Sequence, residues 1–416
     1  MIRDRDLSND ESSGIGINID DDGASYYIDV VNCRVRGYTS EQLRTSSGSR
    51  VRFRDCKVWD ASTDLCRQDG SGDVIFERCL FAGSGSRVVD QRSGSITFRS
   101  CRFDQSQSSG RYQAVQTNSR NAGSVTIEHC RFVGVGAVNM RFDRDRTVIE
   151  NCLFEQAGIM GRFPDERLSN LTIRYCRVDD APGNSLTVSA YSNVEVAHCY
   201  FNDNAAGSRV VRFQNAGGGG DVRDARVHHC KFTKTTGSGA GDECLEVFPG
   251  GADIEFDYNW VTECTEDAYE AAYARSNIHI HHCVADNCSG QIVDFFNGWG
   301  DDGVDPSDGG GPISSRTDHI YGDTASQAVL ITDCDDVTVH DIYARCNRGV
   351  VLEQNNGSAG STPSNCTING PLPLSEVTSV AIFDTIGSIG SDNQVLYLDD
   401  ETLQTPLDSP EQTEIR

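Results

Sequence analysis

An all-β solenoid of stacked short strands is the fold class this sequence predicts, and three observations predict it. The first is a tag, apolar-x-apolar followed by x-x-Cys-x-Phe/Val, which reads Val194-Glu195-Val196-Ala197-His198-Cys199-Tyr200-Phe201 at its clearest. The second is its return, with tag cysteines at Cys33, Cys56, Cys79, Cys101, Cys130, Cys152, Cys176, Cys199, Cys230 and Cys283, and with Asn259 in the slot between the last two. Most intervals are 22 to 24 residues and the longer ones 29 or 31. The third is the period: apolar residues alternate with period two, and no helical spacing is visible. Weaker matches at Ile320, Ile342 and Cys366 continue the count to about fourteen turns.

Each turn is too small to bury its apolar side alone, so stacking must supply the core. The tag places Val194, Val196, Cys199 and Phe201 inside. Successive turns then set cysteine on cysteine at about 4.8 Å, the spacing of paired strands. This pattern resembles the right-handed parallel β-helix of the pectin-lyase-like superfamily, in which an Asn or Cys at the bend after a strand forms such an internal ladder. The resemblance covers residues 15–370 and implies the fold. It leaves function open, because the architecture carries lyases, hydrolases, adhesins and viral spikes alike. Residues 1–14 read as a charged, flexible lead and 371–416 as a strand-rich cap and tail, the cap carrying Ser379-Val380-Ala381-Ile382-Phe383 and Gln394-Val395-Leu396-Tyr397-Leu398. Gly217 to Gly220 mark one loop insertion and 297–312 a larger one.

Composition narrows the function. The net charge is −26, and among the cations only Lys57, Lys231 and Lys234 are lysines. Excess acid with scarce lysine resembles proteins adapted to saturating salt, as in haloarchaea and their viruses; carboxylates hold water and cations where salt screens other charges. That charge disfavours nucleic acid as a partner. No apolar run approaches 18 residues, so no membrane span is expected, and the first twenty residues hold no apolar signal core. Seventeen cysteines without a CxxC pair predict free, buried thiols in place of disulfides or zinc. Cys264 and Cys288 begin a second column. The residue after each ladder cysteine forms a basic outward stripe, Arg34, Lys57, Arg102, Arg131, Arg177 and Lys231, expected to pair with neighbouring acids. Of His228 and His229, and of His281 and His282, one of each pair is expected to face inward in ordinary packing.

The candidate chemistry lies one strand earlier. Counting back 13 residues from Asn259 and Cys283 lands on Glu246 and Glu270, and one further period lands on Asp294. The preceding turn supplies Arg212. Alternation makes the four side chains point the same way, outward, on successive turns. Three stacked carboxylates repel one another, so one holds a proton or a cation sits between them. Glu243 and Asp267 flank the column, with Tyr269, Tyr273, Phe296 and Trp299 close by. Paired carboxylates suit acid and base roles across a glycosidic bond, and aromatics give sugar rings a platform. Asp301, Asp302, Asp305 and Asp308 offer oxygen ligands in a glycine-rich loop without the Glu that an EF-hand requires. No cofactor is required; hard cations (Ca, Mg or Na/K ions) are what such acidic sites would take.

None of the catalytic signatures of β-helix pectinases is present: no Asn-Thr-Asp, no matching His-Gly and no Arg-x-x-Arg on a neighbouring strand. The expected function is therefore a virion surface structural protein of a haloarchaeal virus (capsid turret, spike or tail fibre), resembling tailspike-type β-helices. It would be a homotrimer, since no helix is readable to cover the open end of the solenoid. Its partners would be other virion proteins and host surface glycans, and its place the virion surface. The alternative is an extracellular adhesin, or a polysaccharide lyase or glycoside hydrolase using Glu246, Glu270 and Asp294.

Overall fold

The computed structural model describes residues 1–8, 14–20, 27–46, 48–84, 87–104, 113–117, 122–141, 146–161, 168–189, 191–214, 222–234, 242–248, 250–274, 276–296, 315–332, 334, 336–346, 348–353, 366–369 and 394–396. The regular elements among them are strands, paired in parallel, and the fold is a right-handed parallel β-helix. Contacts divide the chain into two units, Met1–Phe163 with Leu168–Leu186, and Pro164–Arg167 with Thr187–Arg416.

In unit 1 a turn contains three strands, for example Val74–Glu77, Leu80–Ser84 and Arg87–Gln91. The repeat length keeps equivalent residues in step from turn to turn. Val51, Val74 and Ile96 are register partners, as are Phe53, Phe76 and Phe98. Alternation sends both sets inward, where they are buried. Like residues then meet like residues. Phe53, Phe76 and Phe98 stack at 4.9 and 5.2 Å between ring centres, and Phe103, Phe132 and Phe154 at 4.4 and 4.6 Å.

The bend before each ladder position explains why cysteine recurs. At this bend one residue of each turn lies in the left-handed region: Asp4, Asn32, Asp55, Arg78, Ser100, His129, Asn151 and Tyr175, with φ between 51° and 55°. That residue stops the strand, and the next side chain turns into the core. There a thiol lies within reach of two backbone carbonyls, one on its own turn and one on the previous turn. Cys56, Cys79 and Cys101 are 3.3, 3.4 and 3.5 Å from the carbonyls of Arg54, Glu77 and Arg99, and 3.6, 3.6 and 3.4 Å from those of Val30, Phe53 and Phe76.

Unit 2 repeats the device, with bends at His198, His229, Tyr258, His282, His319 and Asp341. Asn259 shows what the ladder position accepts. Its Nδ2 donates to Val227 O at 2.7 Å, and its Oδ1 accepts from Cys230 N at 3.0 Å. Cys and Asn both fit the position and can donate upstream, while Ile320 and Ile342 fill it with apolar side chains in later turns. All seventeen cysteines are free and buried. Burial pushes the Cys283 thiol up to about 12, which keeps it uncharged and unreactive.

Some expectations change. In the charged lead, Ile2–Arg3 and Asp6–Ser8 form strands paired with Val30–Val31 and Arg34–Arg36. Arg5 takes the ladder slot there, so the turn carries no cysteine to mark it. Neither member of the pairs His228–His229 and His281–His282 faces inward. The first of each pair is on the outward phase of its strand, and the second is the left-handed bend residue, which also turns its side chain out. The basic stripe meets its acids at Arg102–Asp104 and Arg177–Asp179, both 2.7 Å, and at Arg131–Glu155. Lys57 and Lys231 instead lie over Trp59 and Trp260. The two loop insertions and the segment 379–383 lie outside the described residues, while Gln394–Leu396 pairs with Thr367–Asn369.

Phe132 tests the stacked core, because its ring is held between two others. Phe132→Ala is expected to cost ~3–5 kcal/mol in unfolding free energy, measured by denaturant titration. A loss under about 1 kcal/mol would mean the stack does not carry stability.

A candidate acidic site on the third strands of unit 2

The third strands of unit 2 include Val211–Gln214, Leu245–Val247, Tyr269–Ala272, Val293–Phe296 and Gln327–Thr332. Their register places Arg212, Glu246, Glu270 and Asp294 in one line across four turns, ending at Leu330. A second line stands three residues earlier. The backbone pairing there runs Val210 to Glu243, Cys244 to Asp267 and Ala268 to Gln291, so Arg209, Glu243, Asp267 and Gln291 are equivalent. The two lines interleave. Carboxylate oxygens of Glu243, Glu246 and Glu270 all lie within 4.8 Å of one another, and so do those of Asp267, Glu270 and Asp294.

Unit 1 uses the same two positions differently. Glu41, Asp64 and Arg87 occupy the earlier line, and Arg44, Arg67 and Asp90 the later one. Three acids meet three bases, joined at Arg67–Glu41 3.2 Å, Arg87–Asp64 2.9 Å and Arg87–Asp90 3.4 Å. In unit 2 five carboxylates face two guanidiniums. Arg209 bridges Glu243 and Glu246 at 2.9 and 3.0 Å, and Arg212 meets Glu246 at 2.8 Å. Asp267, Glu270 and Asp294 form the excess.

The column points outward but is not bare. Glu246 is 1% exposed, Glu243 5%, Asp267 6% and Asp294 7%; Glu270 is partly exposed. Desolvation therefore governs the charges. Burial lifts Glu246 to about 7 against the pull of Arg212 and Arg209. Burial, then the neighbouring Glu246, Glu243, Asp294 and Asp267, pushes Glu270 well above the usual carboxylate range. Asp267 is pushed up by burial and then by Asp294. Glu270 Oε2 is enclosed and has no hydrogen-bond partner among the described residues. This arrangement holds a shared proton, or accepts a hydroxyl donor or a hard cation supplied from outside.

An aromatic row borders the acids. Arg212 lies over the Phe248 ring at 4.9 Å, Phe248 meets Tyr273 edge-on at 5.2 Å, and Tyr273 meets Phe296 edge-on at 5.4 Å. Tyr273 and Phe296 are both members of this row. Tyr269 does not: it alternates inward next to Glu270, is fully buried, and its hydroxyl donates to the carbonyls of Asn259 and Val284 at 3.3 and 3.2 Å. It cannot be a sugar platform. Trp299, Asp301, Asp302, Asp305 and Asp308 lie outside the described residues. Arg209 and Phe248 are the residues that counting missed. Arg209 was findable, because stepping three residues back from each member of the column exposes the second line.

Residues 88–217 match the family model described as the right handed beta helix region. Among solved structures, the chain is similar to tailspike protein 3 of bacteriophage CBA120, at 11% identity, 95% coverage of this chain, 56% coverage of that chain and a TM-score of 0.41. It is also similar to the A-module of the mannuronan C-5 epimerase AlgE6 of Azotobacter vinelandii, at 12% identity, 83% and 89% coverage and a TM-score of 0.27. The chain spans just over half the length of that tailspike. No curated protein matches it.

The raised carboxyls set a pH dependence. Glu246 and Glu270 bind protons more tightly folded than unfolded, so stability falls as pH rises above the ordinary carboxylate value, levelling off for Glu246 above about 7. Glu270→Gln removes the charge at nearly constant shape. It is expected to raise the melting midpoint at pH 8 by a few degrees, on the order of 1 kcal/mol, and to change it little at pH 4. A lower midpoint at pH 8 would mean that Glu270 is held ionised by a favourable partner. Gly290 offers a packing test, since a Cβ there would sit on Asp267 Oδ1, which accepts from Gln291 N. Gly290→Ala is expected to lower the midpoint at every pH.

Proposed function

We propose that this protein is a β-helix scaffold of a virion surface (a capsid turret, spike or tail fibre of a haloarchaeal virus) and that unit 2 presents its acid-and-aromatic face to host glycans. The observation that carries the glycan reading is the juxtaposition just described. Glu270, partly exposed and holding an oxygen without a hydrogen-bond partner among the described residues, belongs to the column whose Arg212 lies over Phe248, the first ring of the row Phe248, Tyr273 and Phe296. Carboxylates accept sugar hydroxyls, and ring faces cover the apolar side of a pyranose.

Binding fits this geometry better than catalysis. A catalytic pair needs two carboxyls that reach the substrate. Glu246 is closed off and tied to two arginines, and Asp294 is nearly as buried. That leaves Glu270 as the one carboxyl of the column in reach of a sugar.

The virion assignment is supported by a scaffold whose core is one repeated packing unit and whose exterior is ion-paired. The saline habitat is supported by a net charge of −26 with three lysines. On this reading the protein is a closed assembly, a homotrimer, bound to other virion proteins. No helix of the described residues is long and apolar enough to cross a membrane.

Three measurements test the reading. Glycan-array binding is expected to fall at least tenfold in Tyr273→Ala and Phe296→Ala, and to stay within a few-fold in Glu270→Gln. Release of reducing ends from polysaccharide by the unmodified protein, abolished by Glu270→Gln, would replace binding with catalysis. Transfer from molar salt to about 0.1 M, where screening weakens, is expected to abolish the cooperative thermal transition or the trimer seen by light scattering. Equal midpoints in both salts would contradict the saline assignment.

A further inference from the structure

The opposite end of the turn carries a second face with different chemistry. The chain has nine histidines, and eight of them (His198, His228, His229, His279, His281, His282, His319 and His340) fall on the first strands of unit 2 and the bends that end them. Register stacks them. His228, Asp257, His281, Asp318 and His340 are partners on five successive turns. The bend residues beside them are His229, Tyr258, His282, His319 and Asp341.

The geometry within two adjacent-residue pairs is unusual for packing alone. Neighbouring side chains on a strand point to opposite faces, but the left-handed bend brings the second ring round beside the first. His281 Nδ1 and His282 Nδ1 face each other at 2.9 Å, and His228 Nδ1 and His229 Nδ1 do the same at 2.9 Å. The other nitrogen of each first ring meets a carboxylate one turn back: His281 Nε2 lies 2.9 Å from Glu255 Oε1, and His228 Nε2 3.5 Å from Glu195 Oε1. A ring that donates Nε2–H to a carboxylate keeps Nδ1 bare, with its lone pair available. Carboxylate behind imidazole is the usual support of a metal-bound histidine, fixing both tautomer and orientation.

We propose that His281, His282 and Asp318 form a binding site for an imidazole-preferring divalent transition cation of the Zn2+, Ni2+ or Cu2+ class. One ligand atom from each lies within 4.8 Å of the others. Metal–nitrogen bonds of about 2.0–2.1 Å to two nitrogens 2.9 Å apart subtend roughly 90°, the angle of Cu2+ and Ni2+ and narrower than the tetrahedral angle of Zn2+. Glu255 orients His281 from outside the ligand set. Asp318 is itself positioned by His279 at 2.9 Å and His319 at 2.8 Å. His198, His228 and His229 make a second group of the same kind two turns earlier in the column. The site shares no residue with the acidic column and does not rest on the glycan reading.

The simplest competitor for the ion is one proton, shared between the two Nδ1 atoms. Full-length protein stripped with a chelator and dialysed would be loaded with Zn2+, passed through gel filtration and analysed for metal. Zn2+ is expected to stay with the protein and to resist a tenfold excess of Ca2+. The double variant His281→Gln, His282→Asn is expected to lose about one equivalent, asparagine being tolerated at the left-handed bend. His129→Asn, at the corresponding bend of a turn in unit 1 and outside the ligand set, is expected to lose none. Retention of no Zn2+, or equal retention by the double variant and the unmodified protein, would overturn the site. Should the double variant fail to fold, Cu2+ bound to the unmodified protein decides the matter by electron paramagnetic resonance. Coupling to imidazole nitrogen supports the site, and a spectrum with oxygen ligands alone overturns it.

Discussion

The constraint on which this molecule depends is the register from turn to turn, set at each bend by one left-handed residue that turns the next side chain into the core. Each strand pairs in parallel with its equivalents above and below, so every ladder residue meets the ladder residue of the next turn. Cys56, Cys79 and Cys101 place thiols there within reach of carbonyls of the previous turn, and Asn259 an amide. Ile320 and Ile342 fill the same slot with apolar side chains. The cysteine spacing in the sequence is thus the spacing of these corners.

The same register that aligns the inside also aligns the outside. Once turns are in step, any outward residue meets its equivalents above and below at strand distance. In unit 1 the two outward lines at the third strand set acids against arginines and neutralise each other. In unit 2 acids outnumber arginines. Three acids in succession, Glu246, Glu270 and Asp294, concentrate like charge on a position that is balanced in unit 1. At the bend the histidines accumulate in the same way. A solenoid acquires a site by repeating a residue where it would otherwise vary.

Much of this was legible in the sequence because it depends on count and alternation alone. The ladder, the buried thiols and the line Arg212, Glu246, Glu270, Asp294 followed from adding periods. What escaped depended on direction or burial. Tyr269 is adjacent in sequence to Glu270 and opposite in space, and alternation already implied it. The burial of Glu246 did not follow from counting, since the arginine that covers it sits on the preceding turn three residues from the obvious partner. The paired imidazoles were hidden because a left-handed bend reverses the usual divergence of neighbouring side chains.

Unit 2 holds carboxyls whose proton affinity is raised by burial and by stacking on like charges. Infrared difference titration of protein carrying 13C-labelled Glu carboxyl groups reads this directly. A protonated glutamic acid band is expected to persist to about pH 7, where ordinary glutamates have long since ionised, and to weaken in Glu270→Gln. Complete loss of that band by about pH 5.5, as for solvent-exposed glutamates, would contradict the raised affinity.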